Sequence, residues 1–215
     1  AAQTVYERIG HPHIIATDLE PFVGKDGKKT PQSDALLMSI VTEMFDKDYF
    51  QVIRDEHQRY TGQMLIQRDV IVRYLQLLLL HDYRHTPFDI LKLEEWSETP
   101  ITLHDGTTVM TGGKIDRMDC IMVDEKPVVR IVDYKTGRYD EDKLRVSDMD
   151  TLFSEGGYAF QTFVYCMATC EQGEQHPVIP ALYFIQQGAN PDYDPILTFG
   201  EDKEKIADFH DLCHD

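Results

Sequence analysis

At Phe88 the hydrophobic pattern of this 215-residue chain changes period, and that change limits the folds open to it. Upstream, apolar Met64, Leu65, Val70, Ile71, Tyr74, Leu75, Leu78 and Leu79 recur at helical spacing after Thr61, whose hydroxyl can cap a helix running to about Tyr83. Downstream, four runs read as strands: DILKLEEW, PITLHDG, TTVMTGGKIDRMDCIMV and KPVVRIVDYKTG. Asp105-Gly106 and the stretch Asp124 to Pro127 supply turns between them, so the runs are expected to pair as successive antiparallel strands. Tyr158 to Glu171 predicts a helix that is apolar nearly all round and therefore buried. PVIPALYFIQ predicts a further strand, PILTFG a short one, and Asp202 to Leu212 a closing helix.

The remaining segments are less regular. Ala1 to Ile9 reads as the end of a helix stopped by Gly10; it has no N-cap, so the helix is expected to begin upstream, in a longer protein. Residues 10–33 read as a loop, Ser33 or Asp34 as the cap of a helix to about Phe50, and residues 138–157 as polar and irregular. The fold class is α/β, a mixed β-sheet flanked by helices. Residues 1–87 are expected to form a helical N-terminal portion and residues 88–215 the sheet-bearing core, within one compact domain.

Composition narrows the function. Hydrophobic residues make up 42% of the chain, enough for a sizeable core. Thirty-eight acidic against 21 basic residues give a net charge of −17, which argues against a stand-alone non-specific nucleic-acid binder. Between Lys126 and Arg145 the balance reverses, with six basic residues (Lys126, Arg130, Lys135, Arg138, Lys143, Arg145) against four acidic ones. Nucleic acid is expected there if anywhere, with Arg138, Lys143 and Arg145 as phosphate contacts. No apolar stretch is long enough to span a bilayer, and the N-terminus does not read as a signal peptide. Cys120, Cys166, Cys170 and Cys213 form no CxxC pair, which suggests a reduced, cytoplasmic protein with mostly buried thiols. His81 and His85 share a helix face but read as a solvated helix end rather than a zinc site.

The chemistry concentrates in IVDYKTG. On a strand Asp133 and Lys135 project side by side, with Tyr134 turned away. That pair alone is an ordinary surface salt bridge. Asp116, 17 residues earlier in GGKIDRMD, changes its meaning, because a hairpin of that length can set Asp116 opposite Asp133. Two converging carboxylates repel unless a cation lies between them, and hard oxygen ligands favour Mg²⁺ or Mn²⁺. Lys135 can then offset charge on phosphoryl oxygens. Gly112 and Gly113 permit a bulge or a close backbone approach just before the acid. Arg117 and Asp119 are expected to form a surface charge network on the other face. In QTFVY, Gln161 and Tyr165 share one helix face and need polar partners on an otherwise apolar helix.

GKIDRMD, VDYKTG and QTFVY, in this order and spacing, resemble the PD-(D/E)xK nuclease superfamily, and within it the RecB/AddB-type branch, over roughly residues 90–186. The resemblance implies a restriction-endonuclease-like core and a metal-dependent exonuclease acting on DNA. Asp116, Asp133 and the Tyr134 carbonyl would be metal ligands, and Lys135, Gln161 and Tyr165 catalytic. Glu94, Glu95 and Arg117 would be supporting. It further implies a His in an early helix, placed here before Ala1, and a helicase domain or subunit as partner in DNA repair or recombination. The cysteine spacing does not match the iron–sulfur cluster of some relatives, so none is expected. A catalytically inactive module of the same fold, binding DNA or a partner protein, is the alternative.

Overall fold

The computed structural model describes residues 1–48, 61–102, 105–155, 157–202 and 204–212, which divide into two compact units: residues 1–87 with 185–191, and residues 88–184 with 192–215. Phe50, Cys213 and two residues of PITLHDG (Leu103 and His104) lie outside the described residues.

The first unit is helical: α1 (Ala2–Ile9), α2 (Ala16–Val23), α3 (Pro31–Asp48) and α4 (Gly62–Arg84). Gly10 stops α1 in the left-handed conformation at φ 80. Helix α2 falls in the segment expected to be loop. Its short apolar face of Leu19, Phe22 and Val23 is buried, so tertiary packing sustains a helix too short to announce itself. Helix α3 starts earlier than expected, because the cap is Thr30: Thr30 Oγ1 accepts from the Ser33 amide and Ser33 Oγ from the Thr30 amide, at 3.1 and 3.0 Å. Thr61 caps α4 as expected, through the Met64 amide at 3.3 Å. Only the second half of α4 is core, with Val72, Leu75, Leu78 and Leu79 buried, whereas Leu65 and Val70 are exposed. His81 is buried and stacks on exposed His85 at 4.0 Å, so this helix end is not uniformly solvated.

The second unit carries the sheet. DILKLEEW and the first residues of PITLHDG run as one continuous strand, β1 (Phe88–Thr102), with exposed Pro100 inside it. It pairs with β2 (Thr108–Val123), which pairs antiparallel with β3 (Lys126–Lys135). Asp124 and Glu125, both at positive φ, make the two-residue turn from β2 to β3. Strand β4 (Arg145–Val146) follows, then α5 (Met149–Glu155), α6 (Gly157–Glu171) and β5 (Val178–Phe184). Strand β5 lies parallel to β3, so the four main strands run in the order β1-β2-β3-β5. The sheet is mixed, as the sequence predicts. Flanked on both sides, β3 is buried from Val128 to Asp133, and β5 throughout. Helix α6 packs across all four strands.

Three expectations fail in this unit. The stretch 138–157 contains β4, α5 and a 3₁₀ turn at Glu141–Leu144, organised by buried Leu144, Val146 and Leu152. The closing helix is absent among the described residues. Thr198–Phe199 and Glu204–Lys205 pair as short strands and Phe209–Leu212 is a 3₁₀ turn. Of the three described cysteines only Cys166 is buried. No helix among the described residues is long and apolar enough to cross a membrane.

Candidate active site

Strand β3 brings its C-terminal residues to the point where β2 stops pairing with it. The last pair is Arg117 with Val132, and one more step along the same register sets Asp116 opposite Asp133. Main-chain pairing ends there and a side chain takes over. Asp116 Oδ2 accepts the Tyr134 amide at 2.8 Å, which fixes the carboxylate against β3. Asp133 is buried and Asp116 partly so. Burial raises both carboxyls above their ordinary value, Asp133 to about 6, and Asp116 adds to the rise at Asp133 while Lys135 opposes it. Asp133 Oδ2 is enclosed, and the Lys135 ammonium lies against it as an ion pair.

Lys135 is held from several sides. It pairs with Asp133, donates to Gln161 Oε1 at 3.4 Å, and lies 4.5 Å from the centre of the Tyr158 ring. Gln161 Nε2 donates to the Tyr165 hydroxyl at 2.8 Å, one helical turn on. The polar stripe of α6 is thereby satisfied internally and aimed at Lys135. Gly113 completes the contact, since a Cβ there would meet the Tyr165 ring at 3.0 Å. At Gly112, φ is 142 and a Cβ would lie 2.0 Å from the Ser97 carbonyl oxygen. Both glycines serve close approach; the register there is continuous and no bulge interrupts it.

Of the residues expected to support the site, Glu94 belongs to the cluster. It lies opposite Asp116 by register, adopts φ 54, and its Oε2 pairs with Lys114 Nζ at 2.6 Å. A non-glycine residue at positive φ within a strand is strained by about 1–3 kcal/mol. The Glu94 charge adds to the rise at Asp116 and also raises Lys114. Glu95, paired with Ile115, is exposed and takes no part. Arg117 and Asp119 are not a surface network: with Arg130 they form a buried triad. Arg130 donates to Asp119 at 3.0 and 2.9 Å, and Arg117 Nε donates to Asp119 at 2.6 Å, while the Arg117 guanidinium lies 4.4 Å from the Phe88 ring centre. Asp119 stays below the ordinary carboxylate value because two guanidiniums outweigh its burial. Arg117 also reaches the Tyr134 hydroxyl at 3.4 Å, linking the triad to the residue between Asp133 and Lys135.

A groove of about 940 Å³ opens beside Lys135, lined by Lys143, Arg145, Leu152, Tyr158 and Gln161 among others. Lys143 lies 5.1 Å from the Tyr158 ring centre. Arg145 is held by Glu141 and by Asp142 at 3.2 Å, which offsets part of its charge. Arg138 is exposed and does not line the groove. Lys114, Arg130 and Tyr158 were missed in the sequence. The first stands two residues before Asp116, where strand alternation could have found it. The other two act through contacts distant in chain order.

Among the described residues no group of three or more His, Cys, Asp or Glu side chains converges as a cation cage. Two carboxylates do converge, each raised above its ordinary value, and this donor set suits a hard cation that keeps most of its own water.

The chain is 31% identical over 157 residues to a subunit of the ATP-dependent helicase/deoxyribonuclease of Acetivibrio thermocellus, covering 67% of this chain and 13% of that protein. It is 34% identical over 130 residues to the subunit of the same name from Symbiobacterium thermophilum, covering 57% of this chain and 10% of that protein. The chain thus spans a small fraction of the curated relatives it matches. The sequence model of the PD-(D/E)XK nuclease superfamily matches residues 4–214, nearly the whole chain, and the protein belongs to that superfamily.

Proposed function

We propose that this protein is a Mg²⁺-dependent nuclease domain that hydrolyses phosphodiester bonds in DNA, as the exonuclease part of a helicase–nuclease in repair or recombination. The observation that carries the reading is the meeting of Asp116, Asp133 and Lys135 at the ends of β2 and β3, beside a groove with basic walls. Asp116 and Asp133 would hold the cation, with the Tyr134 carbonyl as a further oxygen ligand. When bound, the ion activates water and offsets charge on phosphoryl oxygens.

The chain's own residues do the rest. Lys135, charged and steered by Asp133, Gln161 and the Tyr158 ring, offsets negative charge as it develops on the phosphoryl group. Gln161 and Tyr165 are positioning residues that hold the Lys135 ammonium in place. Lys143 and Arg145 draw the strand's phosphates into the groove. The helicase role follows the names of the two relatives, whose remaining length this chain does not cover.

The test is cleavage of end-labelled linear DNA with Mg²⁺ by the wild type and by Lys135→Ala. The variant is expected to lose about a hundredfold or more in rate. Equal rates in the two would overturn the assignment. Calorimetric Mn²⁺ titration reads the cation site separately and should fail in Asp116→Asn and Asp133→Asn.

A further inference from the structure

Two phenylalanines on the helices that wall the groove are turned toward water. Phe153 on α5 is 67% exposed and Phe160 on α6 is 41% exposed. Their ring centres lie 5.6 Å apart with the planes tilted by 56°. A phenylalanine left in water forgoes the gain of burial, so two held together on a surface call for an occupant. Each is the chain neighbour of residues that line the groove: Phe153 follows Leu152, and Phe160 stands between Ala159 and Gln161.

The groove's charge selects the occupant. In a chain of net charge −17 its walls carry Lys135, Lys143 and Arg145 against one acid, Asp142. Lys143 makes no ion pair among the described residues and rests against the Tyr158 ring. A protein interface also favours aromatic residues, but its core is depleted of charge. A basic track beside exposed aromatic faces is the arrangement that holds a single nucleic-acid strand, with phosphates on the cations and bases on the rings.

We propose that Phe153 and Phe160 form a stacking platform for an unpaired base of the strand whose phosphates lie on Lys143 and Arg145. The platform rests on the nuclease reading and adds a subsite to it. It grips the strand beside the scissile phosphate without reading its sequence, because every base has a stacking face.

The test is fluorescence anisotropy in EDTA, where no cleavage occurs, with a fluorescein-labelled oligothymidylate and the same strand carrying abasic sites. The probe protein is the whole chain, wild type or with Phe153→Leu and Phe160→Leu together. Affinity for the thymidylate strand is expected to fall by about fivefold or more, while the abasic strand binds weakly to both. Phe153→Tyr with Phe160→Tyr, which keeps the rings, should retain the wild-type affinity. Equal affinity in the leucine variant overturns the platform and marks the pair as a protein contact. So does an equal loss for the abasic strand, or a wild type that binds neither strand. DNA cleavage with Mg²⁺ separates the two readings. An inactive wild type that still binds by stacking sinks the nuclease alone, and an active one that binds without regard to bases sinks the platform alone.

Discussion

Two aspartates on adjacent strands of one sheet meet opposite fates. Asp119 is fully buried between Arg117 and Arg130, and their charges hold its carboxyl below the ordinary value. Asp133 is nearly as buried, yet its carboxyl is pushed up to about 6, because Lys135 does not outweigh burial and the second carboxylate of Asp116 adds to it. The first cluster closes its charges, with two guanidiniums on one carboxylate. The second sets two carboxylates together with too little positive charge to offset their burial. A compensated buried charge organises a fold, whereas a carboxylate pair short of positive charge is poised for a cation. Arg117 bridges the two by reaching Tyr134, so the closed cluster braces the open one.

The comparison breaks most readily at Asp119. Asp119→Asn leaves two buried guanidiniums without their counter-charge and should cost about 3–5 kcal/mol in urea unfolding. Its folded pKa is depressed, so its contribution is complete above the ordinary aspartate range and is lost as pH falls through the folded value. The stability gap between wild type and variant should therefore close in strong acid. A gap that widens in acid would refute the sign.

The open cluster should behave in reverse. Lys135→Ala should lower cleavage by about 10²–10³-fold. Asp133→Asn, which removes a buried carboxylate from its like-charged neighbour, should leave the melting temperature of the metal-free protein unchanged or higher. A melting temperature lowered as far as in Asp119→Asn would make both clusters structural.

Steric closeness gives a smaller effect. Gly112→Ala forces a Cβ against the Ser97 carbonyl at a φ that side chains rarely adopt, and should cost about 1–3 kcal/mol in thermal unfolding. The smallest effect belongs to the half-solvated pair of His210 and Asp208, 2.7 Å apart. His210→Gln should cost about 0.2–1 kcal/mol. The His210 pKa is raised, by its hydrogen bond to Asp208 first, so this contribution is complete below the ordinary histidine value. It fades as pH rises through the folded one. Melting curves on either side of neutrality would detect the change.

Much of the architecture was legible because it is written in short-range pattern. The Thr61 cap, the Gly10 stop, the turn at Asp124 and the strands β2, β3 and β5 all follow from local spacing. Helices α2 and α5 were not legible, since each is too brief to form a periodic signal and stands on its packing. The chemical residues Asp116, Asp133, Lys135, Gln161 and Tyr165 were named from spacing and resemblance, and the structure brings them together.

The sequence by itself determined the change of period at Phe88, the acid-and-amine pair on β3, and the register that sends Asp116 toward Asp133, because alternation along a strand and the length of a hairpin are local properties. Only the tertiary structure decided which charges are buried. It turned Arg117 and Asp119 into a closed triad with Arg130, left the burial of Asp133 only partly offset by Lys135, and set Phe153 against Phe160 on helices that wall a basic groove. Burial depends on what other segments bring to a position, and no reading of neighbouring residues contains that.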